Sequence, residues 1–221
     1  MTVAPVDPAV VARNLEDLRS RLDELSNGRE VTIVAVTKGF GVDAVHAALS
    51  CGLTCIGENY AQELLSKSEQ VTEVSRLQWH FLGRLQRNKI RSLAHVVDVW
   101  QSVDRAELID AIATRAPGAT VFIQANLSGE AHKGGAPLEA VSALVGHARA
   151  AGLEVQGLMG VGPEGTPEDA REGFRSLVAL ADALDVEQRS IGMSADLEVA
   201  VQEGSTMVRV GSALFGPRPP R

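Results

Sequence analysis

Aromatic side chains supply only 4% of this 221-residue chain, with one tyrosine and two tryptophans. So sparse a set offers no row of platforms for stacking nucleic-acid bases. Positive charge is also short: the formal net charge is −7 and the pI near 5.3, which argues against nucleic-acid backbones and anionic membranes as partners. No apolar run approaches the roughly 20 residues that cross a bilayer. The opening Met1-Thr2-Val3-Ala4-Pro5 has neither the basic nor the apolar stretch of a secretory signal, so a cytoplasmic chain is expected. Cys51 and Cys55 are the only cysteines. They lack the further ligands of a zinc site and read as small, mostly buried side chains. What is present is a core's worth of apolar residues, 45% of the chain, and an ordinary 22% of charged ones. That balance predicts a single large domain over residues 1–221.

Hydrophobic spacing supplies the architecture. Val11, Leu15, Leu18, Leu22 and Leu25 recur at three- and four-residue intervals and predict an opening helix over 8–26, ended by Asn27-Gly28. From there strands alternate with helices. Strands are predicted at 31–37, 53–56, 78–82, 95–100, 120–125, 153–158, 188–191 and 206–210, with helices between them. Eight strands separated by seven helices fit a closed (β/α)8 TIM barrel with an extra N-terminal helix. An open doubly wound sheet is the alternative.

In such a barrel the loops after the strands converge on one face, so strand-end residues belong together. The β-branched run Val31-Thr32-Ile33-Val34-Ala35-Val36-Thr37 stops at Lys38. A partly desolvated lysine amine there loses proton affinity and becomes a nucleophile for aldehydes; the plainer alternative is a lysine snorkelling into water. Other strand ends carry Gly57-Glu58-Asn59, His80, Asn126 and Met159-Gly160. The loops after strands seven and eight read Gly192-Met193-Ser194 and Gly211-Ser212. Glycine admits a close anion, serine donates a hydroxyl hydrogen, and a helix start adds free N–H groups, as in the phosphate sites of barrels. Closure makes strand eight the neighbour of strand one, which places Arg209 near Lys38. Arg209 is read either as a cation facing the lysine or as an ion-pair cap at the barrel end with Glu58 or Glu203. His80, between Trp79 and Phe81, reads as a core residue before it reads as a base. Tyr60, at a helix start, is expected to pack. His46, His95, His132 and His147 fall in helical, linker or strand-start contexts and look solvent-facing or structural. Glu130, Lys133 and Gly135 form either a lid or a plain loop.

An aldehyde-reactive lysine, a phosphate cradle and a facing arginine together suggest pyridoxal 5'-phosphate. Across nearly its whole length the chain resembles the pyridoxal phosphate homeostasis protein family, which shares its barrel with the N-terminal domain of alanine racemase. The matching stretches are Val34-Ala35-Val36-Thr37-Lys38, Ile56-Gly57-Glu58-Asn59-Tyr60, Trp79-His80-Phe81-Leu82-Gly83, Gly157-Leu158-Met159, Gly192-Met193-Ser194 and residues 204–211. The resemblance implies that Lys38 forms a Schiff base with the cofactor. It implies that Ser194, Gly211 and Ser212 hold the phosphate, with Met193 lining the same loop. Arg209 would face the pyridine nitrogen and Asn59 the ring. A cation at that nitrogen keeps it unprotonated and suits a carrier, or a racemase-like enzyme, better than a transaminase. One departure is Gly39-Phe40-Gly41 after the lysine, where the family commonly has a proline. The expected function is that of a monomeric carrier and buffer of pyridoxal phosphate, without robust catalysis, with apo enzymes as recipients. A slow racemase using the same lysine is the alternative, and a phosphosugar barrel enzyme a third reading.

Overall fold

A computed structural model describes residues 5–71, 77–130 and 134–218 of the chain. The elements run α1 (Pro8–Ser26), β1 (Thr32–Val36), α2 (Val42–Ser50), β2 (Cys55–Glu58), α3 (Ala61–Gln70), β3 (Gln78–Phe81), α4 (Arg87–Leu93) and β4 (Val99–Val103). They continue α5 (Ala106–Arg115), β5 (Thr120–Asn126), α6 (Leu138–Ala150), β6 (Glu154–Val161), α7 (Arg171–Ala183), β7 (Gln188–Ser190), α8 (Leu197–Gln202), β8 (Met207–Val210) and α9 (Ser212–Phe215). The eight strands are parallel and close on themselves in sequence order, β8 pairing with β1. The expected TIM barrel is therefore present, and the open sheet is excluded.

The first helix forms where its signals lie. Asp7 caps it by accepting from the Ala9 amide at 2.9 Å, Pro8 opens it, and Asn27 ends it in the left-handed region at φ 53°. Its buried face, Val11, Leu15, Leu18 and Leu22, packs on α2, α8 and α9, covering the seam where the barrel closes.

Alternation along the strands divides the core. Outward-facing residues join the helices in one large apolar cluster, while Val34, Val36, Leu82, Val99, Phe122, Met159 and Met207 pack inside the barrel. Gly57 belongs to this interior, since a Cβ there would lie 2.6 Å from Leu82 and 2.9 Å from Val34.

Three strands differ from expectation, β6 by running on past 158 through Met159 and Gly160 to Val161. β4 begins at Val99 rather than 95, because the amides of Val96 and Val97 turn back to the Leu93 carbonyl. It then runs on through Gln101 and Ser102, polar residues that end a strand on paper but are buried here with hydrogen-bond partners. β2 lies at Cys55–Glu58 instead of 53–56, and Glu58 is its fully buried last residue, not a loop residue. The cysteines are half-buried and unpaired.

Candidate functional site

A cavity of about 260 Å3 opens at the mouth of the barrel where the strands end. Lys38, Asn59, Met193, Ser194, Arg209, Gly211 and Ser212 all line it, with Leu82, Met159 and Val161 forming its apolar floor. A groove of about 600 Å3 between α1 and the loop after β1 is larger. Among the described residues its ionisable groups are Asp7 and Asp43, with no cation, which does not suit a phosphorylated ligand.

Lys38 extends the inward-facing series Val34, Val36 beyond the end of β1 and is half-buried. Burial lowers its pKa first, the nearby Arg218 cation second, and Arg209 adds to the fall; Tyr60 and Glu58 act in the opposite sense. The loop carrying it is fixed by a buried trio on the outward face. Lys67 of α3 donates to Glu58 Oε1 at 2.5 Å and to the Thr37 carbonyl at 2.7 Å, while Thr37 Oγ1 donates to the same Glu58 oxygen at 2.5 Å. The amide of Gly39 donates to Glu63 Oε2 at 2.7 Å. Lys67 and Glu63 of α3 thus hold the backbone on both sides of Lys38, and Glu58 of β2 holds the Thr37 hydroxyl.

Arg209 is opposite Val34 in the ladder, facing inward, and only 5% exposed. Its Nη1 donates to the Ser190 carbonyl at 2.5 Å and to Ser190 Oγ at 2.9 Å, and its Nη2 donates to the Gly160 carbonyl at 2.8 Å. Burial brings its pKa down to about 10, with Asp196 opposing, so the guanidinium is charged at neutral pH. Neither Glu58 nor Glu203 pairs with it: Glu58 faces Lys67, and Glu203 binds Arg171 and Arg175 at the barrel's outside. The ion-pair cap is therefore not its arrangement.

Across the cavity, Ser212 Oγ lies 3.4 Å from Ser194 Oγ, which also accepts from the Ala213 amide at 3.4 Å. Gly211 sits so close to β1 that a Cβ would be 3.2 Å from the Val36 carbonyl. Gly192 holds φ +97°, which glycine alone adopts readily. Asn59 is fixed from behind by Gly83, whose absent Cβ would fall 1.8 Å from the Asn59 carbonyl. The result is a nucleophilic amine, a fixed cation and a pair of hydroxyls at the start of α9, all facing one small volume.

Other expected residues lie elsewhere. Asn126 ends β5 and organises the following turn by accepting from the amides of Ser128 and Gly129. His80 is 1% exposed, in the barrel interior below the cavity, its pKa lowered to about 4 by burial. Tyr60 is exposed at the start of α3, contrary to the packing expected of it. His46, His95 and His147 are exposed, whereas His132 and Lys133 lie outside the described residues. Arg218 is the residue the sequence concealed. It reaches the cavity because the chain after α9 folds back over the Lys38 loop, where a Cβ on Gly39 would touch its side chain at 3.3 Å. No local pattern in the tail signals this.

Among the described residues no cluster of His, Cys, Asp or Glu could hold a metal, and no helix is long and apolar enough to cross a membrane.

Comparison with known proteins places these features in a family. Residues 6–219 match the family model of the alanine racemase N-terminal domain. The pyridoxal phosphate homeostasis protein of Aquifex aeolicus is 36% identical, the alignment covering 94% of this chain and 96% of that protein. Its counterpart in Pseudomonas aeruginosa is 37% identical over 95% and 96% of the two chains. The structure of PipY from Synechococcus elongatus with pyridoxal phosphate bound superposes with a TM-score of 0.81 at 31% identity, covering 93% of this chain and all of that one. On full-length similarity and a shared barrel alike, the chain belongs to the pyridoxal phosphate homeostasis proteins of the alanine racemase N-terminal domain family.

Proposed function

We propose that this protein binds pyridoxal 5'-phosphate in the cavity at the barrel mouth and serves as its carrier and buffer. The observation that carries this reading is the convergence of Lys38, Arg209 and the Ser194–Ser212 pair on one volume. The donor set fits the group: an amine for an aldehyde, hydroxyls and backbone amides for a phosphate dianion, and a cation for a ring nitrogen that keeps its lone pair. The apolar floor of Leu82, Met159 and Val161 suits the faces and edges of a flat ring. Likeness to PipY, whose structure holds the cofactor, supports the same assignment.

Each residue has a task. Lys38 Nζ, kept short of protons by burial and two arginines, supplies the attacking amine. Ser194, Gly211 and Ser212 orient the phosphate, with Met193 closing that side and Asn59 bordering the ring. Arg209 offers permanent charge at the deep end. Bound pyridoxal phosphate supplies an electrophilic aldehyde, and a ring that withdraws electrons weakly while its nitrogen is unprotonated.

Carriage is favoured over racemisation by the lining. Among the described residues that line the cavity, the ionisable groups besides Lys38 are Arg209 and Arg218, both guanidinium side chains. A racemase needs a second acid/base on the opposite face of its substrate. We read the carrier as a monomer of one barrel unit. A cytoplasmic carrier of this kind would deliver to apo enzymes.

The test is reduction of cofactor-loaded protein with borohydride followed by peptide mapping. The adduct is expected on Lys38 and lost in Lys38→Ala; an adduct on another lysine, or none, overturns the proposal. Rapid racemisation of an amino acid that depends on Lys38 would overturn the carrier role alone.

A further inference from the structure

Three polar side chains lie buried inside the barrel below the cavity: His80 on β3, Gln101 on β4 and Ser190 on β7, at 1%, 0% and 0% exposure. In an eight-stranded barrel β4 lies across the axis from β8, and β3 from β7. Polar groups spanning an apolar interior are costly unless each is satisfied. Their hydrogen bonds form a directed chain.

The direction starts at Arg209. A guanidinium has donors only, so Ser190 Oγ must accept from its Nη1 at 2.9 Å. The serine hydrogen is then available to Gln101 Oε1 at 2.7 Å. That contact fixes the flip of the amide, turning Gln101 Nε2 toward His80 Nδ1 at 2.7 Å and Met207 Sδ at 3.1 Å. An amide nitrogen only donates, so with this flip Nδ1 presents a lone pair and the imidazole proton sits on Nε2, which has no partner among the described residues. Every donor in the chain points away from the arginine. The opposite flip would make Ser190 Oγ accept from both Arg209 Nη1 and Gln101 and would leave the serine hydrogen without a partner in the chain.

We propose that the His80–Gln101–Ser190 chain is a tie across the barrel that sets the orientation of Arg209, making His80 a positioning residue for a guanidinium it does not touch. The inference rests on the reading that Arg209 meets the ring nitrogen of pyridoxal phosphate. If His80 lost its Nδ1 lone pair, the Gln101 amide would turn its oxygen toward the ring. Ser190 Oγ would then face two donors, and its hold on Arg209 Nη1 would weaken. The residues facing His80 are Gly57 and Val99 on the flanking strands, Gln101, and Met207 across the barrel. None of these titrates, so among the described residues the charge linked to His80 is that of Arg209.

Two substitutions separate the tie from simple packing. In His80→Gln the side-chain oxygen can accept from Gln101 as Nδ1 does; His80→Leu offers no acceptor. Nuclear magnetic resonance of histidine-labelled protein without cofactor is expected to show His80 as the neutral Nε2–H tautomer at pH 7. His80→Leu is expected to bind pyridoxal phosphate about five- to fiftyfold more weakly, with a shifted absorption maximum. His80→Gln should restore both. A structural role alone would lower the unfolding midpoint of His80→Leu and leave the affinity and spectrum of the folded protein unchanged, and that result overturns the proposal. So does an Nδ1–H tautomer. Should His80→Leu not fold, Gln101→Met removes the same link and is read the same way. The tautomer is measured without cofactor, so absence of a Lys38 adduct would refute the binding reading and leave this test standing.

Discussion

Replacing Lys67 by methionine isolates the forces that hold the Lys38 loop. The Lys67 ammonium lies 2.5 Å from Glu58 Oε1, with side-chain exposures of 5% and 0%. It also donates to the Thr37 carbonyl at 2.7 Å, one residue before Lys38. Methionine fills the space but leaves a buried carboxylate with one hydroxyl, from Thr37, and an Oε2 that already lacks a partner among the described residues. Removing one member of a buried ion pair costs about 3–5 kcal/mol. The loss should depend on pH. Burial already raises the Glu58 pKa against the pull of Lys67, so the native state holds this proton more tightly than the unfolded chain. A raised carboxyl stabilises the fold at low pH and loses that contribution as pH climbs through its folded pKa. Without Lys67 the pKa rises further. The variant should therefore approach the parent near pH 4 and fall furthest behind above pH 7. Urea unfolding at several pH values reads this directly, and Glu58→Leu/Lys67→Met, which removes both charges, should recover most of the stability. A penalty below about 1 kcal/mol at pH 7.5, or one independent of pH, would show that the pair is solvated and the reasoning wrong.

Arg218→Ala removes the largest electrostatic influence lowering the Lys38 pKa. Capture of pyridoxal phosphate at pH 7 should slow in stopped-flow absorbance, while the rate at high pH, where the amine is neutral in both proteins, stays the same. His80 titrates near 4 in the fold against 6.5 in the unfolded chain. A depressed histidine pKa gives stability that is complete above 6.5 and lost as pH falls toward 4. The full loss amounts to roughly 3 kcal/mol at 1.36 kcal/mol per unit. His80→Gln should lack this component of the acid limb in chemical denaturation. Gly83→Ala would place a methyl 1.8 Å from the Asn59 carbonyl. The backbone must move, so a loss of about 1–3 kcal/mol should accompany weaker cofactor binding by fluorescence titration.

Where apolar periodicity governs, the sequence is a good guide: the opening helix runs from Pro8 to Ser26, and all seven expected site residues line one cavity. Strand ends in a closed barrel converge whatever the details of packing, which brings these residues to one mouth, while their roles toward a cofactor rest on the family resemblance. The errors share a cause. Glu58, Gln101 and Ser102 are polar, so they read as the ends of strands, yet each is a buried strand residue hydrogen-bonded to a group on another element. Gln101 meets Ser190 eighty-nine residues later, and Arg209 meets Gly160 forty-nine residues earlier. No local window can distinguish such a residue from a loop. Arg218 is hidden for a related reason, since only the return of the tail over Gly39 brings it to Lys38. The polar interior also bears on function. A barrel filled only with aliphatic side chains would leave Arg209 held by the backbone carbonyls of Ser190 and Gly160, with nothing reporting on its orientation from the far wall. Three buried polar residues in place of three aliphatic ones give up apolar packing. The compensating gain is a cation whose donors have fixed partners, at the one place in the cavity where direction matters.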